Sequence, residues 1–163
     1  MSRKQRASKN RISLSLLIGV ALVLLCACDH GIGYRPRGWS STQLNRWSST
    51  FDKVEIEMPE IGGLIGTESL MPEIVIHNHG AAVVVLESAV LKTNLADYTA
   101  RPTEYEKKWE PIPPGGKAVM TLLLEFNKPI GEVLKDPVEL RLKFRIGKEE
   151  TELSVPMEKR IGK

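Results

Sequence analysis

The chain has 163 residues and a formal net charge of +3, from 23 basic and 20 acidic side chains. The excess is local: Arg3, Lys4, Arg6, Lys9 and Arg11 precede every acid, and without them the balance is 18 basic to 20 acidic, net −2. Nucleic-acid binding, which needs a basic face, therefore has no support. Both cysteines lie at positions 26 and 28, so the rest of the chain has no disulfide and must hold itself by an apolar core.

After the basic segment, residues 12–25 form an apolar run broken only by Ser13, Ser15 and Gly19. At about fourteen residues it is shorter than the roughly twenty a spanning helix needs. A basic region followed by a short apolar one is the pattern of a secretory signal peptide, expected here over residues 1–27 as a helix. The run ends in Leu25-Cys26-Ala27-Cys28, which resembles the lipobox of bacterial lipoproteins. Cys28 matches the cysteine that receives lipid, with Ala27 at the small position and Leu25 at the aliphatic one. Cys26 fits poorly, because bulky Leu25 would stand where a small residue is needed. The resemblance implies cleavage before Cys28, which would then carry diacylglycerol and usually a third acyl chain such as palmitate. More than one chain is what firm attachment requires, since each buried methylene contributes about 0.8 kcal/mol. Asp29 resembles the signal that keeps enteric lipoproteins in the inner membrane. The implied location is the periplasmic face of the inner membrane, with the outer membrane second.

Residues 28–50 are expected to be the lipidated N-terminus and a flexible tether, being rich in Gly, Ser and Arg without apolar alternation. Tyr34, Trp39 and Trp47 alternate with Arg35, Arg37 and Arg46. Either this stretch lies along the headgroups, or Leu44, Trp47 and Phe51 form a short helix capping the domain.

From residue 51 the pattern becomes that of strands, and residues 51–158 make a single domain with a tail at 159–163. Val54, Ile56 and Met58 alternate with Lys53, Glu55 and Glu57. Residues 59–69 read as a Gly-bearing loop whose GGLIG lacks the ending of a phosphate loop. Ile74 and Ile76 then share one face, and Glu73, Val75 and His77 the other. A turn at His79-Gly80 would pair Ile76 with Val83 and Ile74 with Val85 as a hairpin; the competing reading is a corner from one sheet to the other. Residues 92–116 are the longest irregular stretch, with an edge strand expected at 103–109 guarded by Lys107 and Lys108. Residues 117–126 are apolar on both faces and are expected to be a central strand. Residues 129–136 form a loop or one helical turn.

The last hairpin is the most explicit. Val138, Leu140, Leu142, Phe144 and Ile146 alternate with charged residues, and Gly147-Lys148 supplies a two-residue type II′ turn. That turn sets Leu142 against Leu153, Leu140 against Val155 and Val138 against Met157, with Arg145 opposite Glu150 and Lys143 opposite Glu152. A one-residue slip would expose every apolar side chain. Six to seven strands without a long helix after the signal segment imply an all-β, Ig-like antiparallel β-sandwich. Residues 74–157 are similar to Ig-like domains of bacterial envelope proteins, a likeness of architecture that carries over no functional residues.

Candidates for chemistry are few. His77 and His79 sit two apart on a strand and share a face, where a copper or zinc ion is conceivable, but no third ligand is near and the methionines lack carrier spacing; polar turn residues are the preferred reading. His30, His77 and His79 are the only imidazoles, and no nucleophile elbow accompanies them, so no enzyme and no cofactor are expected. Tyr98, Tyr105 and Trp109 offer either a partner-binding rim or, for Trp109, a lid on the core. The expected function is a lipid-anchored, non-enzymatic binding or assembly module that contacts the membrane through its lipid and another envelope protein; the alternative is a periplasmic copper or zinc carrier using His77 and His79.

Overall fold

The computed structural model describes residues 31–38, 47–64 and 66–160. The signal segment, Cys28, Asp29, His30 and the middle of the expected tether lie outside those residues. The described chain is one unit beginning at Gly31, and among these residues no helix is long and apolar enough to cross a membrane.

The expected class is met: the chain is all-β and antiparallel, and its two main sheets share one core. Among the described residues there are twelve strands rather than six or seven, because several are short: β1 (Gly31–Pro36), β2 (Trp47–Phe51), β3 (Val54–Met58), β4 (Ile61–Leu64), β5 (Ser69–Leu70), β6 (Glu73–Asn78), β7 (Val84–Lys92), β8 (Asp97–Thr99), β9 (Lys117–Thr121), β10 (Leu124–Glu125), β11 (Val138–Ile146) and β12 (Glu149–Lys159), with one helical turn, α1 (Ile130–Val133). Six strands form one sheet in the order β4-β1-β12-β11-β7-β8, four form the second in the order β2-β3-β6-β9, and β10 pairs with β5 apart. The inner faces supply one cluster: Ile56, Ile74 and Ile76 from the smaller sheet meet Leu91, Leu142 and Phe144 from the larger, all essentially buried. The rings of Phe51 and Phe144 lie 5.3 Å apart.

The β11–β12 hairpin has the register its sequence implies, from Val138 opposite Met157 to Ile146 opposite Glu149. Gly147 takes a positive φ of 62° and Lys148 does not, as a type II′ turn requires. The outer charges of the hairpin pair diagonally and with the neighbouring strand. Lys143 reaches Glu150 at 2.6 Å, and Arg145 turns to Glu87 on β7 at 2.8 Å. A bulge in the β7–β11 pairing between Lys143 and Phe144 aims Glu87 outward and explains why buried residues 84 and 86 are followed by 89 and 91.

Five expectations are corrected. The tether reading fails at both described ends: β1 pairs with β12 on one side and β4 on the other, while Trp47 and Phe51 belong to β2, not to a helix. Strands are therefore present from Gly31 among the described residues, well before residue 51, and β12 runs on to Lys159. Residues 59–69 contain β4 and β5, not loop alone. Gly62 is needed there, since a Cβ on it would stand 2.6 Å from the Ile32 carbonyl oxygen. His79-Gly80 is a corner and not a hairpin, because β6 and β7 lie in different sheets. Residues 103–109 form turns; the edge strand in that connection is β8, paired with β7. Finally, β9 stops at Thr121 and is an edge strand, with the side chain of Val119 on its outer face 55% exposed. Its second apolar face covers no further sheet.

Asn78 holds the corner. It is the buried polar residue of the core, 1% exposed. Its amide donates to the carbonyls of Ala82 (2.8 Å), Ile112 (3.1 Å) and Pro113 (3.0 Å), and its oxygen accepts from the Gly80 amide (3.0 Å). One side chain thus ties the β6–β7 corner to the loop before β9: it is the partner of the Gly80 amide and the Ala82 carbonyl, and a second donor to the carbonyls of Ile112 and Pro113, which also accept from the amides of Val84 (3.0 Å) and Gly116 (2.9 Å).

Candidate functional site

The outer face of the four-stranded sheet brings two imidazoles beside two carboxylates. Alternation along β3 buries Val54, Ile56 and Met58 and turns Glu55 and Glu57 outward. The same rule on β6 turns His77 outward, directly opposite Glu55 in register. His79 lies just beyond β6, held by its backbone amide on the Lys53 carbonyl at 2.8 Å. The expectation that both imidazoles share a face is met: their rings stack in parallel, 5.9 Å apart at 6°.

Each imidazole has its own carboxylate. His79 Nε2 donates to Glu55 Oε2 at 3.0 Å, since a carboxylate can only accept. Ser48 on β2 donates to the other oxygen of Glu55 at 2.9 Å. These two hydrogen bonds, His79 first, hold the Glu55 carboxyl below the usual range, with burial opposing and the histidine charges assisting. His77 Nε2 stands 3.3 Å from Glu57 Oε1, close enough for charge attraction. That contact is not aligned as a hydrogen bond, and His77 Nε2 is buried without a hydrogen-bond partner. Glu73, expected on this face, is exposed and takes no part.

This geometry limits the chemistry. A metal needs donors converging on one centre. Here the rings lie side by side, and among the described residues no group of three His, Cys, Asp or Glu side chains is placed to hold an ion. Nor is a hydroxyl activated: Glu55 stands between Ser48 and His79, whereas nucleophilic catalysis needs the imidazole next to the hydroxyl. The arrangement is a pair of carboxylate–imidazole contacts on a sheet surface, the His79–Glu55 one open to solvent at the imidazole and the His77–Glu57 one half-buried. Glu55, Glu57 and Ser48 were not picked out in the sequence. Alternation places the two glutamates outward, but only the β3–β6 register says what they face.

The three aromatics of the middle connection do not form one rim. Tyr98 on β8 is half-buried and meets Phe126 edge-on, with centroids 4.8 Å apart. Tyr105 is 99% exposed. Trp109 packs on the core, and its Nε1 donates to the Thr121 carbonyl at 3.3 Å, while Glu106 accepts from the Thr121 amide at 3.2 Å. The hollow beside them, lined by Glu106, Lys108, Trp109 and Val119, holds about 150 Å³, small beside the roughly 300–1,000 Å³ of ligand pockets. On the six-stranded sheet outer cations meet acids, as in Arg35–Glu158 at 3.0 Å and Lys143–Glu150 at 2.6 Å.

No protein-family model and no curated protein matches the sequence. Among solved structures, the chain is similar to a functionally unknown protein from Listeria monocytogenes EGD-e, with a TM-score of 0.51 and 9% identity, covering 76% of this chain and 86% of that one. It is also aligned with an uncharacterized β-sandwich protein from Clostridium difficile 630, at a TM-score of 0.37 and 12% identity over 66% of this chain and 89% of that one. At such identities the first likeness speaks to the fold alone.

Proposed function

We propose that the chain is a bacterial lipoprotein, acylated on Cys28 and acting as a non-enzymatic binding or assembly module at the cell envelope, on the periplasmic face of the inner membrane. The observation that carries this reading is how close the paired strands come to Cys28. β1 opens at Gly31, three residues after Cys28, and three residues of chain span at most about 11 Å. A lipid on Cys28 would therefore hold the sandwich against the bilayer instead of on a long leash. The basic segment, the short apolar run and Leu25-Cys26-Ala27-Cys28 support the same reading from the sequence. The absence of a nucleophile–base pair in the Ser48–Glu55–His79 line favours binding over catalysis.

The test is mass spectrometry of protein purified from native membranes, followed by affinity capture from crosslinked membranes. The expected N-terminal peptide begins at Cys28 with diacylglycerol and a further acyl chain, and a defined envelope protein is captured with it. An unmodified Cys28 with the leader still attached overturns the proposal.

A further inference from the structure

We infer that the sandwich is seated on the bilayer by a specific end, the one at which β1 begins, and that phospholipid is the partner of that end. This rests on the acylation of Cys28 proposed above. Antiparallel pairing identifies the end without ambiguity. The start of β1 lies with the end of β4 (Gly31 opposite Leu64), the end of β12 (Tyr34 opposite Lys159), the start of β11 and the β7–β8 turn. In the smaller sheet, β3 finishes beside the start of β6 and the end of β9, and the chain passes from β3 straight into β4. The β5–β6 connection and the turns beside Thr121 therefore belong to the same end.

Two properties of that end suit a membrane surface. Five large apolar side chains are exposed among the described residues, and three of them are here: Met71 at 61% between β5 and β6, Leu95 at 57% in the β7–β8 turn, and Tyr105 at 99% in the turn beside Thr121. Apolar tips with a tyrosine match the interfacial layer of a bilayer. Lys128, Lys135 and Lys159 are exposed at this end, and among the described residues they make no ion pair. The acids there are partly engaged: Glu60 meets Arg160 at 3.5 Å and Glu158 meets Arg35 at 3.0 Å, while Asp136 is exposed. Glu68, Glu73, Asp97, Glu104 and Glu132 are exposed there as well, so the attraction to lipid phosphate is local to the three lysines and not a property of the whole end. The lysines are placed to take lipid phosphates, while the chain from Cys28 keeps this end within reach of them. The opposite end, with the Asn78 corner and the Gly147 turn, then points away from the membrane.

The experiment uses the full, acylated protein in vesicles of phosphatidylethanolamine and phosphatidylglycerol. With Cys28 acylated and the leader removed, a cysteine placed by Met71→Cys or Leu95→Cys is the sole free thiol and takes a bimane label; Val83→Cys and Lys148→Cys label the far end. Headgroup spin-labelled lipid is expected to quench the labels at 71 and 95 at least twofold more than those at 83 and 148. Lys128→Glu, Lys135→Glu and Lys159→Glu together weaken the seating, by about fivefold per lysine in anionic vesicles, and reduce the quenching at 95. Equal quenching at both ends of a protein whose Cys28 is acylated overturns the seating and leaves the anchor intact. If mass spectrometry of the same sample finds Cys28 unmodified, the anchoring reading falls. The seating falls with it unless the unanchored protein still binds anionic vesicles with residue 95 shielded, which supports it on its own contacts.

Discussion

The hydroxyl of Tyr34 donates to the carbonyl of Leu134 at 2.9 Å, joining residues a hundred positions apart. The acceptor caps the end of α1, where carbonyls lack helical partners, and the ring is 1% exposed. A residue from a stretch that reads as tether is thus one of the largest buried side chains, and it fastens β1 to the end of α1.

Tyr34 also makes the stability depend on alkaline pH. Burial first, then the charge of Asp136 and its hydrogen bond, push the phenol up to about 12. An unfolded tyrosine titrates near 10. A raised folded value stabilises fully below pH 10, and that stability is lost as pH rises from about 10 towards 12. At neutral pH, Tyr34→Phe is expected to cost about 1 kcal/mol for the lost hydrogen bond. Between pH 10 and 12 the wild type should lose about 2–3 kcal/mol relative to the variant, so that the order reverses. Urea denaturation at stepped pH reads this directly, and parallel pH slopes for the two proteins would refute it.

Asn78 is the second test of long-range fastening. Asn78→Ala leaves the Gly80 amide and the Ala82 carbonyl without their partner and takes one of two donors from the carbonyls of Ile112 and Pro113, which keep the amides of Val84 and Gly116, and is expected to cost about 1–3 kcal/mol. Asn78→Asp keeps the shape but sets a carboxylate against three carbonyl oxygens, so it should be the worse of the two at pH 7 and recover part of the loss in acid, where the group protonates. An aspartate variant as stable as the wild type at pH 7 would show that the side chain does not hold the corner.

The acid limb is set in part by Glu55. Its folded carboxyl lies below the ordinary range because His79 and Ser48 donate to it. A depressed folded value contributes stability present above the unfolded pKa and lost as pH falls through the folded one. Glu55→Gln should therefore flatten the fall of melting temperature with pH below the usual carboxylate range. Above it, the variant should melt below the wild type. An acid limb unchanged in the variant would show that these contacts contribute nothing.

What the sequence revealed follows from the range of the interactions. The β11–β12 register was legible because a two-residue turn and strict alternation fix it within twenty-two residues. The pairing of β1 was not, since its partners lie about thirty and more than a hundred residues away, and GIGYRP looks like loop when nothing local opposes it. The β6–β7 connection read as a hairpin on its apolar letters. What decides for the corner is Asn78, whose three carbonyl partners become apparent only when the loop at Ile112 is in place. The same holds at the site: period two puts His77 and His79 on one face, whereas Glu55 and Glu57 are brought to them by sheet register. Val119 misled for a physical reason, as an apolar residue on both faces of a strand does not require a second layer when the strand is an edge.

That edge supplies the last prediction. β9 ends the four-stranded sheet, and an unpaired strand edge invites a second chain. Here the backbone of Thr121 is occupied on its free side, its amide by Glu106 at 3.2 Å and its carbonyl by the Trp109 indole at 3.3 Å. Glu106→Ala removes one guard and should cost about 1 kcal/mol; Trp109→Ala removes the other together with a half-buried ring and should cost about 2–3 kcal/mol. Because both act on one residue, the losses should fall short of adding in the double variant. With Thr121 and exposed Val119 then open along the same edge, the double variant should self-associate at concentrations where the wild type and both single variants sediment alike. Sedimentation velocity and urea denaturation of the four proteins test both halves: strictly additive losses would separate the two guards, and an unchanged sedimentation coefficient would show that the edge is protected by other means.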